Sequence, residues 1–111
     1  MRVGLTTEQA RAAALELPGA IEQDHHGRPS FRVQGKIFAT QWDAEHMNVM
    51  LEEDGILSAV AARPEVCSEV HWGKRLAAVR VALAEADLEL LRELLADAWE
   101  RRTGRPATHD S

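Results

Sequence analysis

The stretch Gly27-Arg28-Pro29-Ser30-Phe31-Arg32-Val33-Gln34-Gly35-Lys36-Ile37-Phe38-Ala39-Thr40-Gln41-Trp42 decides the fold. Phe31 and Val33 alternate with Ser30, Arg32 and Gln34, which is the period of a half-buried strand. Gly35 can supply the positive φ of a tight hairpin, with Gln34-Gly35 or Gly35-Lys36 as its two-residue loop. A second strand then runs on to Trp42. The stretch holds three cations, Arg28, Arg32 and Lys36, and no acid. It contains no nucleophile–base pair and no metal-ligand spacing.

On the N-terminal side a helix is predicted over Thr7–Leu17. Thr6 and Gln9 have capping-box spacing, and Leu5 and Ala10 are placed for a hydrophobic staple across the cap. Ala10, Ala13, Ala14 and Leu17 form one face, mostly alanine, so this helix should lie close against its support. Pro18-Gly19 stops it. Residues 20–26 alternate weakly and read as a short edge strand before the hairpin.

On the C-terminal side Asp43-Ala44-Glu45 is a polar turn, and His46–Leu51 alternates as a strand. Glu52, Glu53 and Asp54 put negative charge at the start of a second helix, expected over Gly55–Arg63 and presenting Ile56, Leu57, Val60 and Ala61. Residues 65–75 read as a loop with room for a turn of helix, and Ala77–Leu83 as the last strand, with Val79, Val81 and Leu83 inward and Arg80 outward. The final helix is the clearest element. Leu88, Leu91, Leu95, Ala98 and Trp99 make an apolar stripe that Asp87 caps and Gly104 and Pro106 end. The order predicts a two-layer α+β domain: an antiparallel sheet with the N- and C-terminal helices packed on one face. Residues 1–111 form a single domain, with 105–111 expected to be a flexible tail.

A chain of 111 residues can build one core. Hydrophobic residues make up 45%, which argues against disorder, and no apolar run is long enough to span a membrane. The N-terminus lacks a signal-peptide core, so a cytoplasmic setting is expected. The single Cys67 cannot form an internal disulfide, in agreement with a reducing compartment. Net charge is −5, which is not the basic balance of a dedicated nucleic-acid binder.

Pro18-Gly19, Glu22, Gly27-Arg28-Pro29, Phe31-Arg32-Val33, Gly35-Lys36-Ile37-Phe38-Ala39, His71-Trp72-Gly73-Lys74-Arg75 and the closing Ala98-Trp99 together resemble the MmcQ/YjbR family. The resemblance implies a fold similar to CyaY and frataxin, and the label of DNA-binding protein that members often carry. It implies no catalytic residues. One departure stands out: Leu76-Ala77-Ala78 occupies the place where many members have a Gly-Trp-Thr-like stretch, which removes an aromatic near the last strand.

The candidate site follows from the strands. If Phe31, Val33 and Phe38 face the helices, then Arg32, Ile37, Ala39 and Gln41 share the open face of the sheet and Arg80 joins them. Arg28, Lys36, Lys74 and Arg75 would sit around them, and Trp72 or Trp42 would line a groove, although tryptophans here are expected mostly in the core. Met50 on that face would be an exposed contact residue. Guanidinium groups in such an array can hold phosphates; the same charges also suit a solvated face that resists sheet association. Weak nucleic-acid binding or a protein partner is expected, with no membrane partner, cofactor or metal.

The alternative is an enzyme or metal protein using His46, His71 and Cys67. His25 and His26 on one strand would point to opposite faces and could not share an ion. The frataxin-like fold suggests an acidic iron-binding ridge, but the first helix offers only Glu8 and Glu16 with Arg11 between them, no cluster of hard oxygen ligands.

Overall fold

The computed structural model describes residues 4–107. Helix α1 (Thr7–Leu15) leads into strands β1 (Ile21–His25), β2 (Arg28–Val33), β3 (Lys36–Asp43) and β4 (His46–Val49). Helix α2 (Glu53–Ala62) crosses to the hairpin β5 (Cys67–Trp72) and β6 (Arg75–Ala82). A 3₁₀ turn at Leu83–Glu85 precedes helix α3 (Leu88–Thr103). The six strands form one antiparallel sheet in the order β1-β2-β3-β4-β6-β5. This is the expected α+β architecture. Among the described residues no helix is long and apolar enough to cross a membrane.

The local signals act as read. Thr6 N–H donates to Gln9 Oε1 at 2.9 Å and Gln9 N–H donates to Thr6 Oγ1 at 3.1 Å, closing the capping box. Leu90 N–H donates to Asp87 Oδ1 at 2.8 Å, and Gly104, with φ of 74°, ends α3 in the left-handed conformation. Gln34 and Gly35 both have positive φ, the pattern of a two-residue hairpin loop whose twist matches its strands. A second such turn, His26-Gly27, joins β1 to β2.

The alanine face of α1 brings it close to α3, and both helices cover one side of the sheet. Phe31, Phe38, Met47, Val79, Val81, Leu91 and Trp99 are fully buried between the layers. Trp99 Nε1–H donates to the Pro18 carbonyl at 2.8 Å, so the largest core side chain also ties α3 to the end of α1. Arg105–Ala107 turn back along α3: the Ala107 N–H donates to Glu100 Oε2 at 2.9 Å. The rest of the tail, residues 108–111, lies outside the described residues.

The structure corrects several sequence expectations. Residues 67–72 are not a loop but the edge strand β5, whose largely polar, exposed side chains hide its period. Helix α2 starts at Glu53, and Leu57 is exposed because only Ile56 and Ala59 are buried on its inner side. Leu83 is buried as expected, but in the 3₁₀ turn rather than in the strand. Ala39 and Gln41 face the core. The β2–β3 pairing slips by one residue, Phe31 opposing Ala39 and Arg32 opposing Ile37, so Phe38 and Ala39 both turn inward at a β-bulge. Met50 is buried as well as Met47, so it is not an exposed contact residue.

A second bulge follows, because Gln41 opposes Met47 while Asp43 opposes His46. Gln41 lies beneath it on the core side. Its Nε2 donates to the carbonyls of Asp43 at 2.8 Å and His46 at 3.1 Å. Its Oε1 is buried with no partner among the described residues.

Since Trp99 is buried and hydrogen-bonded, Trp99→Ala should cost about 3–5 kcal/mol. Denaturant titration with far-UV circular dichroism measures it. A loss below ~1 kcal/mol would mean that α3 does not depend on this side chain for docking.

Candidate functional site

Strand register defines the face away from the helices. Ser30, Thr40 and Asn48 oppose one another across β2, β3 and β4, and Asn48 and Ser68 both oppose Arg80 on β6. Directly opposed residues point to the same side, and this row alternates with the buried row Phe31, Ala39, Val49 and Val79. The face is polar in its middle, yet Ser30, Thr40 and Asn48 are buried. Longer side chains reach over two of them and satisfy their polar groups. Ser30 Oγ–H donates to the Gln23 carbonyl at 2.8 Å and accepts from Arg32 Nε at 3.2 Å. Asn48 Oδ1 accepts from Arg80 Nε at 3.0 Å. A buried amide or hydroxyl without such a partner would cost ~1–3 kcal/mol, so the arginines are held where these groups need them.

Trp42 is the centre of the arrangement. It is the extra residue of the second β3 bulge, and it stays outside while Gln41 turns in. Arg28 approaches the indole from β2 with its Cζ 4.0 Å from the ring centroid, and Arg80 approaches from β6 at 4.7 Å. Arg28 Nε also donates to the Trp42 carbonyl at 2.8 Å. Both guanidiniums meet the negative face of an aromatic ring in place of a carboxylate.

Arg28, Arg32 and Arg80 have no carboxylate within 4.0 Å among the described residues. Arg28 and Arg80 hydrogen-bond through Nε alone, and Arg32 adds only a 3.5 Å approach of Nη2 to His25 Nδ1. Their forked terminal nitrogens therefore remain as donors.

Acids are scarce on this side. Asp43 is already engaged: the Glu45 N–H donates to its Oδ1 at 2.8 Å, and His46 Nδ1 lies 2.9 Å from the same atom. The His46 hydrogen bond, then the Glu45 amide, hold the Asp43 carboxyl below its ordinary pKa. The negative charge instead sits on the helices. Glu16, Glu89, Glu93, Asp97 and Glu100 line a groove of about 570 Å³ between α1 and α3. There burial, then Glu100 and Glu93, push the Asp97 carboxyl up. The net charge of −5 thus covers a cluster of arginines on the sheet face and a groove with five acids and Arg92 between α1 and α3.

The remaining candidates lie around the edge. Lys36 follows the β2–β3 turn and Lys74 lies in the β5–β6 turn, both exposed. Arg75 opens β6 with its Cζ 5.4 Å from the ring of Trp72, and Trp72 is 54% exposed. Sequence reading left Trp42 between core and groove and did not single out Arg101 and Arg102. Trp42, at 36% exposed, is not a core residue, and its place follows from a bulge that no local pattern reveals. Arg101 and Arg102 come from the last turn of α3, where basic residues favour the helix dipole. Arg102 Nε donates to the Ile37 carbonyl at 2.9 Å. Burial, with Arg101 and Arg75 nearby, lowers its pKa.

The residues of the catalytic alternative do not meet. Cys67 is on the core side opposite Val81, His46 sits beside Asp43 at the β3–β4 turn, and His71 faces Glu69 on the edge strand at 3.5 Å. His25 and His26 depart from expectation: the positive φ of His26 swings its ring against His25, with centroids 4.4 Å apart. No group of three or more His, Cys, Asp or Glu side chains converges among the described residues.

Comparison with known proteins adds two findings. The YjbR family model matches residues 15–101. The crystal structure of the Deinococcus radiodurans protein DR2400, with a DUF419 domain, is similar over 99% of this chain and 97% of its own. Its TM-score is 0.69 at 18% identity, which is a likeness of fold. No curated protein matches the sequence.

Burial raises the pKa of the Cys67 thiol, and Cys67 is 2% exposed. Less thiolate and no access mean slow alkylation. Iodoacetamide should label the native protein at least roughly tenfold more slowly than the urea-unfolded chain. Fast native labelling, followed by mass spectrometry, would revive the thiol as a reactive group.

Proposed function

This chain belongs to the YjbR family, and from that premise we propose that it is a non-enzymatic binding domain whose open sheet face holds the phosphodiester backbone of a nucleic acid. The observation that carries this reading is the set Arg28, Arg32 and Arg80, ordered around Trp42 and Ser30 without a carboxylate partner among the described residues. A guanidinium fork is the side chain best suited to two phosphate oxygens at once. Surface arginines in an acidic protein ordinarily find acids. Here five acids, Glu16, Glu89, Glu93, Asp97 and Glu100, line the groove between α1 and α3, and Asp43 on the sheet side is turned to His46.

Binding of this kind is electrostatic and weak. With few phosphates neutralised and a net charge of −5, dissociation constants at physiological salt should be micromolar or poorer. Among the described residues no helix lies on this face to enter a major groove, so the reading rests on backbone contacts rather than on a recognition helix.

Fluorescence anisotropy with labelled oligonucleotides across a salt series tests the reading. Affinity should fall by about 0.9 log unit per tenfold salt for each duplex phosphate contacted. Arg32→Ala and Arg80→Ala should each lower that slope by about one contact. Melting temperatures check that both variants fold, since each loses a partner for a buried polar group. Absence of salt-sensitive binding would overturn the reading and leave a protein partner as the better account of the face.

A further inference from the structure

The basic face also carries an aromatic that the arginine cluster does not use. The β5–β6 pairing slips between Val70, which opposes Ala78, and His71, which opposes Leu76; the extra residue is Ala77 on β6, so β5 keeps its own count and Ser68, Val70 and Trp72 fall on the side on which Arg80 lies. Trp72 is more than half exposed, unlike Trp42, whose ring is already occupied by two guanidiniums. The indole stands outside the core at a sheet corner, with one guanidinium, Arg75, 5.4 Å from its ring, and lines a pocket of about 180 Å³ together with Glu52, Leu76, Ala77 and Arg101.

The ground between Arg80 and Trp72 is low. Val70 opposes Ala78, which is fully buried, and Ala77 beside it is small. From Ser68, which opposes Arg80, to Trp72, which opposes Arg75, β5 runs about 13 Å at ~3.3 Å per residue. That distance separates a phosphate-holding end from a stacking end with no tall side chain on β6 between them. Arg75 and Lys74 flank the stacking end with further positive charge.

A duplex cannot use this layout. Its bases are stacked inside, and a flat sheet meets it along one phosphate ridge. A single strand can lay phosphates on the arginines and turn a base onto the indole. Sequence-tolerant binders of single strands combine these two elements, and their footprints start near ~4 nucleotides.

We propose that the open face is a single-strand track, with phosphates held by Arg28, Arg32 and Arg80 and an unpaired base stacked on Trp72. The inference rests on the backbone-binding reading above and adds to it the state of the nucleic acid.

The test uses the full chain with a labelled oligodeoxythymidine, an oligouridine and a duplex of equal length. Both single strands should bind roughly tenfold or more tightly than the duplex, and a preference between them identifies DNA or RNA as the source. Trp72→Ala should weaken single-strand binding by about 5- to 100-fold and leave duplex binding and the salt slope unchanged, while Trp72→Phe restores most of the loss. Equal affinity for duplex and single strands, or indifference to Trp72→Ala, overturns the track while salt-sensitive backbone binding still stands. Loss of duplex and single-strand binding alike in a well-folded Trp72→Ala variant also overturns it, since the indole would then serve the backbone. Failure of every oligonucleotide to bind, or binding that salt does not weaken, defeats both readings.

Discussion

Strand β3 holds one residue more than β2 can match and, further on, one more than β4 can match. The two surplus residues, Phe38 and Trp42, settle which side chains face which way. At Phe38 the slip turns two consecutive apolar residues to the helices, and at Trp42 it keeps an indole and a carboxylate outside while Gln41 goes in. A one-residue change of register reverses every side chain beyond it. Remove either bulge and the core loses part of its filling or the open face loses its centre.

Around that centre the energies are individually small. Each guanidinium–indole contact contributes about 0.5–1 kcal/mol at an exposed site. Fixing a free arginine side chain costs up to ~2 kcal/mol in rotamer entropy. What the contacts with Trp42, Ser30 and Asn48 achieve is order: Arg28, Arg32 and Arg80 stand in fixed positions before any ligand arrives. The cost of ordering is then met in folding, so binding a ligand of the kind proposed would cost that much less entropy.

Much of this fold was legible because its signals are local. The capping box at Thr6, the stripe of α3, the stop at Gly104 and the turn at Gly35 each need only a few neighbouring residues to read. What escaped depends on a distant partner. A bulge exists only relative to the opposing strand, so Ala39, Gln41 and Trp42 could not be assigned a side from their own spacing. β5 escaped for another reason: as an edge strand it shows no clean alternation of apolar and polar residues, and only Gly73 hinted at its hairpin. The candidate site was legible in part. Arg28, Arg32 and Arg80 were visible as cations on strands, whereas the indole that joins two of them was left between core and groove.

The acids of the α1–α3 groove and the arginines around Trp42 lie on opposite sides of the sheet, so the charge is uneven as well as net negative. Far from a polyanion the net charge dominates and the protein is repelled. Within about a Debye length, ~8 Å at physiological salt, the nearer layer governs, and the field exerts a torque before any contact forms. Approaches with the helices leading are turned away and those with the sheet leading are drawn in. Orientation, rather than attraction at a distance, is what this charge pattern selects.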